Sequence, residues 1–365
     1  MTLRVEQLGK DVGAETHLYD MSFELHPGSL NVLLGPTQSG KTSLLRLLAG
    51  LDRPTRGQIF LDGENITGRS VRHRSVALVY QQFINYPSLT VYENIASPLR
   101  RQGLDATTRD RKVREAAEML GIAPLLERMP HELSGGQQQR TALARALVKE
   151  ADLLLVDEPL VNLDYKLREQ LRDELKSIFA DRSSIVVYTT TEPLEALLLG
   201  GHVQVLNEGR LLQSGPTIEV YQRPETIEVG RVFSDPPINL LPGHIGDGRA
   251  RIGEVTLPLS GSLQNLPAGT YQFGVRASHL SVGELRRHSP SAVALEAVVE
   301  LAEISGSETF IHLRHGGTSF VVQQEGVASY DLGETLQVWL DPARIYAFQT
   351  DGALVAAPER REVAV

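Results

Sequence analysis

Leu30-Asn-Val-Leu-Leu34 runs directly into Gly35-Pro-Thr-Gln-Ser-Gly40-Lys41-Thr42, and Ser43-Leu-Leu-Arg-Leu-Leu48 follows. The first run is short and apolar, as in a strand buried on both faces. The last has helical periodicity, with Gly50 placed to stop it. Between them, the spacing G-x-x-x-x-G-K-T predicts a turn whose backbone N–H groups converge on one point. Phosphate oxygens need such convergent donors, and only a glycine-rich turn lets a backbone come that close. Gly35, Pro36, Thr37, Gln38, Ser39, Gly40, Lys41, Thr42 and Ser43 are therefore expected to bind the phosphates of ATP. Lys41 should pair with the β- and γ-phosphates, and the Thr42 hydroxyl should ligate Mg²⁺.

Further buried strands are expected at Val76-Ala-Leu-Val-Tyr80, Asp152-Leu-Leu-Leu-Val156 and Ser184-Ile-Val-Val-Tyr188, with a charged helix over Asp105 to Leu120. Strands interleaved with helices imply an α/β domain with a mainly parallel sheet covered on both faces. Val203 to Gln213 reads as a hairpin turning at Asn207-Glu-Gly209. The third strand ends in Asp157-Glu158. It should deliver Asp157 to the sheet edge beside the phosphate loop, where it can hold the Mg²⁺ shell. Glu158 is the candidate general base for an attacking water. In Leu133-Ser134-Gly135-Gly136-Gln137, Ser134 can cap the following helix while the glycines leave its first N–H groups bare, a second anion-binding terminus.

The order of these motifs resembles that of an ATP-binding-cassette (ABC) ATPase over essentially the whole chain. The resemblance implies a P-loop NTPase domain over residues 1–235, with a helical subdomain at about 82–150. It also implies two cassettes sandwiching two ATP molecules, each held by one subunit's phosphate loop and the other's Ser134 to Gln137 segment, with Asp164 among the nucleotide-binding residues. Gln81 resembles the family's glutamine that contacts Mg²⁺ and water. The stretch Gln82 to Asn94, with Phe83, Tyr86, Pro87 and Tyr92, is where a permease subunit would dock. Gly274-Val-Arg-Ala-Ser-His279, Ser305 to Phe310 and Trp339 to Ala343 look like the accessory domain of sugar-type importer ATPases. Gln81-Gln-Phe-Ile-Asn-Tyr-Pro87 looks most like glycerol or polyol importers.

Three positions depart from the family pattern. Thr191, in Tyr188-Thr-Thr-Thr-Glu192, stands where the family has its switch histidine. Threonine can donate one hydrogen bond but cannot bring a positive charge to the γ-phosphate. Losing one transition-state donor typically costs about 10²–10³ in rate. Val161 replaces a usual serine, and Val12 falls where an aromatic usually stacks on adenine, with Tyr19 nearby. The site built on Lys41 is thus expected to be slow, and a heterodimer with a histidine-bearing second ATPase follows. The further expected partners are two transmembrane permease subunits and, indirectly, an extracytoplasmic solute-binding protein. The location implied is the cytoplasmic face of the inner membrane. A non-hydrolysing structural subunit and a soluble, non-transport ABC ATPase are the alternatives.

Composition sets outer limits. Hydrophobic residues at 41% and charged residues at 22% suit a globular chain, and the 365 residues suit two domains. The absence of cysteine excludes disulfides and thiolate chemistry. No run nears the ~20 apolar residues of a membrane span, and the net charge of −9 argues against nucleic acid as a partner. After the proline-punctuated stretch from Pro216 to Gly243, short alternating segments predict a small all-β barrel or sandwich over residues 236–365, which the resemblance implies is an OB-like barrel. From residue 236 there are 9 Arg, no Lys and 14 acidic residues, so this part is acidic too. The tail beyond Pro358 is expected to be loose.

Overall fold

The computed structural model describes residues 2–28, 30–161, 163–180, 183–283 and 291–359. The expectation for the tail therefore falls, from residue 360 on, outside the described residues. The chain divides into two compact units, Met1–Thr217 and Ile218–Val365.

The first unit opens with two long strands, β1 (Leu3–Val12) and β2 (Glu15–Leu25), then β3 (Leu30–Leu34) and helix α1 (Lys41–Ala49). Strands β4 (Arg56–Leu61), β5 (Glu64–Asn65) and β6 (Val76–Val79) lead to three helices, α2 (Val91–Ala96), α3 (Ala106–Met119) and α4 (Gly135–Leu147). The unit is completed by β7 (Leu153–Val156), α5 (Tyr165–Ala180), β8 (Ile185–Thr190), α6 (Pro193–Leu199) and the hairpin β9 (His202–Asn207) to β10 (Arg210–Pro216). The central sheet has the order β10-β9-β3-β8-β7-β6, parallel except for the terminal hairpin. This is the expected doubly covered sheet. A four-stranded antiparallel sheet, β2-β1-β4-β5, was not foreseen. Its inward residues Leu3, Val5, Leu8 and Ile59 join Leu44, Leu45, Leu47 and Leu48 of α1 and the apolar strands of the central sheet in one core. Each such buried leucine is worth about 1.5–3 kcal/mol. That burial fixes α1, and with it the loop at its start.

In the second unit, helices α7 (Thr217–Gln222) and α8 (Ile227–Val232) precede an all-β body. One sheet holds β11 (Asn239–Gly246), β12 (Arg249–Ile252), β13 (Val255–Pro258) and β14 (Gly269–Val275). The second holds β15 (Ser281–Val282), β16 (Val293–Ser305), β17 (Glu308–His315), β18 (Thr318–Glu325) and β19 (Thr335–Leu340). Strands β20 (Tyr346–Phe348) and β21 (Leu354–Ala356) return to the first sheet. The inner faces share one apolar core, as the all-β, OB-like expectation requires. The compact unit starts earlier than residue 236 for a physical reason. Buried Arg276 donates to the carbonyls of Tyr221 (2.6 Å) and Phe233 (2.9 Å), and its guanidinium stacks 3.8 Å from the Tyr221 ring. These contacts tie residues 221–233 to the β body.

Candidate nucleotide site

β3 ends in a buried stop, and the chain turns at Gln38 (φ 68°) and Gly40 (φ 99°) before α1 begins. The φ of 99° calls for glycine at position 40, where a Cβ would also press on Leu18 Cδ2 at 2.6 Å. The Lys41 side chain is 4% exposed and curls back into the loop. Its ammonium donates to the carbonyls of Gly35 (2.6 Å) and Pro36 (3.0 Å) and lies 3.2 Å from Glu158 Oε1. Burial lowers the Lys41 pKa, and the neighbouring Glu158 and Asp157 act against that lowering.

The end of β7 faces the loop from the next strand but one. Asp157 is buried, and its carboxylate accepts from Thr42 Oγ1 at 3.0 Å and from Thr189 Oγ1 at 2.8 Å. Desolvation raises its pKa, while those two hydroxyls pull the other way. Glu158 adopts the left-handed conformation (φ 42°), held by its N–H donating to Thr189 Oγ1 at 2.9 Å. A non-glycine residue there carries roughly 1–3 kcal/mol of strain. This backbone setting brings the Glu158 carboxylate between Lys41 and Gln81, whose Nε2 donates to Oε2 at 3.2 Å.

A cleft of about 820 Å³ opens over these groups. Thr37 to Ser43, Gln81, Glu158, Val161 and Thr191 line it, together with Tyr19, His17 and Glu208. Tyr19 lies on this cleft, with the Arg210 guanidinium 4.0 Å over its ring, whereas Val12 is half-exposed and lies outside the lining. Gly35 and Pro36 contribute through their carbonyls on Lys41, and the Gly35 N–H donates to Thr190 O at 3.3 Å.

The remaining expected residues sit elsewhere. Ser134 and Gln137 form a reciprocal capping box at the start of α4, with Ser134 N–H donating to Gln137 Oε1 at 3.0 Å. Gly135 is open on all sides, and a Cβ at Gly136 would collide with Leu167. Asp164 caps α5 by accepting from Leu167 N at 3.0 Å. None of Ser134 to Gln137 or Asp164 lines the cleft.

Thr189 went unnoticed in the sequence, although it holds both Asp157 and Glu158. The run Thr189-Thr-Thr191 at a strand end was the available signal. Thr190 and Tyr188 both donate to the buried Glu195, Tyr188 at 2.7 Å, so the wall beneath Thr191 is a hydrogen-bonded polar cluster.

A second cleft of about 820 Å³ lies between β6 and the helical subdomain. Its walls include Arg72, Arg74, Tyr86, Ser88, Leu89 and Arg145. Of Phe83, Tyr86, Pro87 and Tyr92, only Tyr86 lines it, with the Arg145 guanidinium 4.8 Å over its ring. The loop is organised by a residue that sequence reading passed over. Buried Asn94 accepts from Tyr86 N (2.8 Å) and donates to the carbonyls of Tyr86, Leu89 and Thr90. Among the described residues no helix is long and apolar enough to cross a membrane.

Comparison with known proteins completes the description. Residues 18–161 match the ABC transporter family, and residues 273–348 match the TOBE domain family. The trehalose/maltose import ATP-binding protein of Thermococcus litoralis is 37% identical over 361 residues, covering 95% of this chain and 97% of that protein. The sn-glycerol-3-phosphate import ATP-binding protein 3 of Rhizobium johnstonii is 35% identical over 352 residues, covering 96% and 98%. Among solved structures, a dimeric ATP-binding cassette in a post-hydrolysis state with ADP and phosphate is 27% identical. Its TM-score is 0.53, with coverage of 59% of this chain and 98% of that one. A cassette from Clostridium perfringens, part of an ABC transporter complex, gives a TM-score of 0.56 at 26% identity, covering 62% and 92%.

Proposed function

The chain belongs to the ABC transporter ATP-binding family and is an ABC-type ATPase, and we propose that it powers import of a carbohydrate or polyol, glycerol among them, through two membrane permease subunits served by a solute-binding protein. The observation that carries this reading is the cleft in which Lys41, Gln81 and Glu158 converge over the phosphate loop. The names of the full-length relatives, both import ATP-binding proteins, supply the direction of transport. The groove bounded by Arg72, Tyr86 and Ser88 is the proposed seat for a permease segment at the cytoplasmic face of the inner membrane.

In the proposed reaction the nucleotide's phosphates lie along Thr37 to Ser43, and the Lys41 ammonium turns from the loop carbonyls to the β- and γ-phosphates. Glu158, held between Lys41 and Gln81, accepts a proton from the attacking water while Gln81 orients that water. The oxygen donors Thr42 Oγ1 and Asp157, already 3.0 Å apart, suit a hard divalent cation. Thr42, Asp157 and Gln81 are the proposed holders of Mg²⁺, which would neutralise charge developing on the phosphates.

Thr191 lies in the cleft wall and can donate a hydrogen bond but no charge. The proposed partner is accordingly a second, histidine-bearing ATPase, whose own phosphate loop is served by this chain's Ser134 to Gln137.

Replacing Glu158 by Gln in the assembled transporter tests the hydrolytic role. Turnover at this chain's site should fall by about 10²–10⁴ with nucleotide binding retained. Unchanged turnover and transport would assign the chain a structural role instead.

A further inference from the structure

A smaller cavity, of about 110 Å³, lies wholly within the second unit at the β17–β18 turn. Leu241, Ile252, Val255, Leu295, Phe320 and Leu340 wall it, each at most 9% exposed. Three polar side chains break the apolar lining, Glu254, Thr318 and His315, and the imidazole of His315 has a defined partner. His315 Nδ1 is 2.6 Å from the carbonyl oxygen of Glu296. A carbonyl only accepts, so in the neutral ring Nδ1 carries the proton and Nε2 presents a lone pair. That Nε2 is buried and has no hydrogen-bond partner among the described residues. An acceptor left without a donor in an apolar wall is destabilising, and a ligand donor would relieve it.

Size and rim narrow the ligand class. A cavity of roughly 150 Å³ lined by aliphatic side chains admits benzene, so about 110 Å³ open at one side accommodates a single small ring or a short branched chain. The mouth is the Gly316-Gly317 turn, where a Cβ at either residue would meet nothing within 4 Å. No side chain of the turn closes it. Glu254 stands exposed on the rim and repels anions.

We propose that this cavity binds a small neutral molecule with an apolar body and one hydroxyl or N–H, which donates to His315 Nε2. The proposal is independent of the nucleotide site and of the transported solute.

Phenol and toluene are the probes, titrated into the full chain by calorimetry. Phenol should bind saturably at one site, about tenfold more tightly than toluene, the margin of one hydrogen bond. In protein labelled with ¹⁵N-histidine, phenol should move the His315 Nε2 resonance and toluene should not. His315→Ala should bring phenol to the affinity of toluene, and Leu241→Trp, which fills the cavity, should abolish both. Absence of saturable phenol binding, equal affinity for the two probes, or phenol binding that survives both substitutions would overturn the proposal and leave Nε2 to a water molecule. Should either variant fail to fold, the resonance shift in the unmodified chain decides alone.

Discussion

At the scale of single residues, the strand-to-helix turn from Gly35 to Thr42 was legible because it depends on consecutive residues. The roles proposed for Gly35, Gly40, Lys41 and Thr42 rest on their spacing. Asp157 and Glu158 were legible for the same reason, standing at the end of an apolar run. What the sequence could not convey was how they are held: Thr189 is bound to both through contacts 31 and 32 residues apart. Burial also sets a tension at Asp157. Its pKa in the fold is raised above the ordinary 3.8, chiefly by desolvation, so burial disfavours the charged form. The associated stability is present at acid pH and lost as pH rises through the folded value, leaving a buried charge at neutral pH. Asp157→Asn should therefore raise the nucleotide-free melting temperature at pH 7, by about 2–4 °C per kcal/mol gained. The same substitution should lower ATP turnover. Scanning calorimetry and a phosphate-release assay check the two halves, and a lowered melting temperature would refute the reading of burial.

Among elements, the central strands declared themselves as unbroken apolar runs, and α1 by its periodicity. The antiparallel sheet did not, because β1 finds its partners at residues 15–25 and 56–61 and alternates apolar with polar residues. Short helices α7 and α8 were likewise hidden in proline-rich sequence, and long-range contacts hold them in the second unit: those of Arg276, and the backbone bonds of Ile227 N–H to Gly352 and Leu354 N–H to Glu225. The loop from Gln82 to Asn94 was read for its aromatics. Its shape instead depends on the buried amide of Asn94, which makes four hydrogen bonds to loop backbone. Asn94→Ala removes these bonds and takes this partner from the Tyr86 N–H and the Leu89 carbonyl, at about 0.5–1.5 kcal/mol for each hydrogen bond lost. We expect this variant to bind ATP normally and to lose most co-purification with the permease subunits. Undiminished co-purification would remove the loop from the docking account.

For the whole molecule, composition and the order of motifs indicated two domains, an α/β cassette and an all-β body, and those are the architectures found. Pairing between subunits is implied by the resemblance, through Ser134 to Gln137 and Asp164, residues that lie outside the lining of the cleft over Lys41. Stability of the second unit carries its own pH signature. Burial and the nearby Arg276 and Arg344 lower the His279 pKa from 6.5 to about 4. The unfolded chain therefore takes up a proton that the folded chain refuses, and stability is lost as pH falls from about 6.5 toward 4. Replacing His279 by Gln should flatten that decline in a thermal-melt series, and an unaltered slope would assign it to other groups.

We propose that the site over Lys41 binds ATP but turns it over slowly because Thr191 brings no charge to the γ-phosphate. Steady-state phosphate release by the purified chain, compared with its Thr191→His variant at saturating ATP and Mg²⁺, tests it directly. The chain alone should show nearly no turnover, and the histidine should raise it by at least about tenfold. Robust turnover by the unmodified chain without any partner, or no gain from the histidine, would contradict the claim.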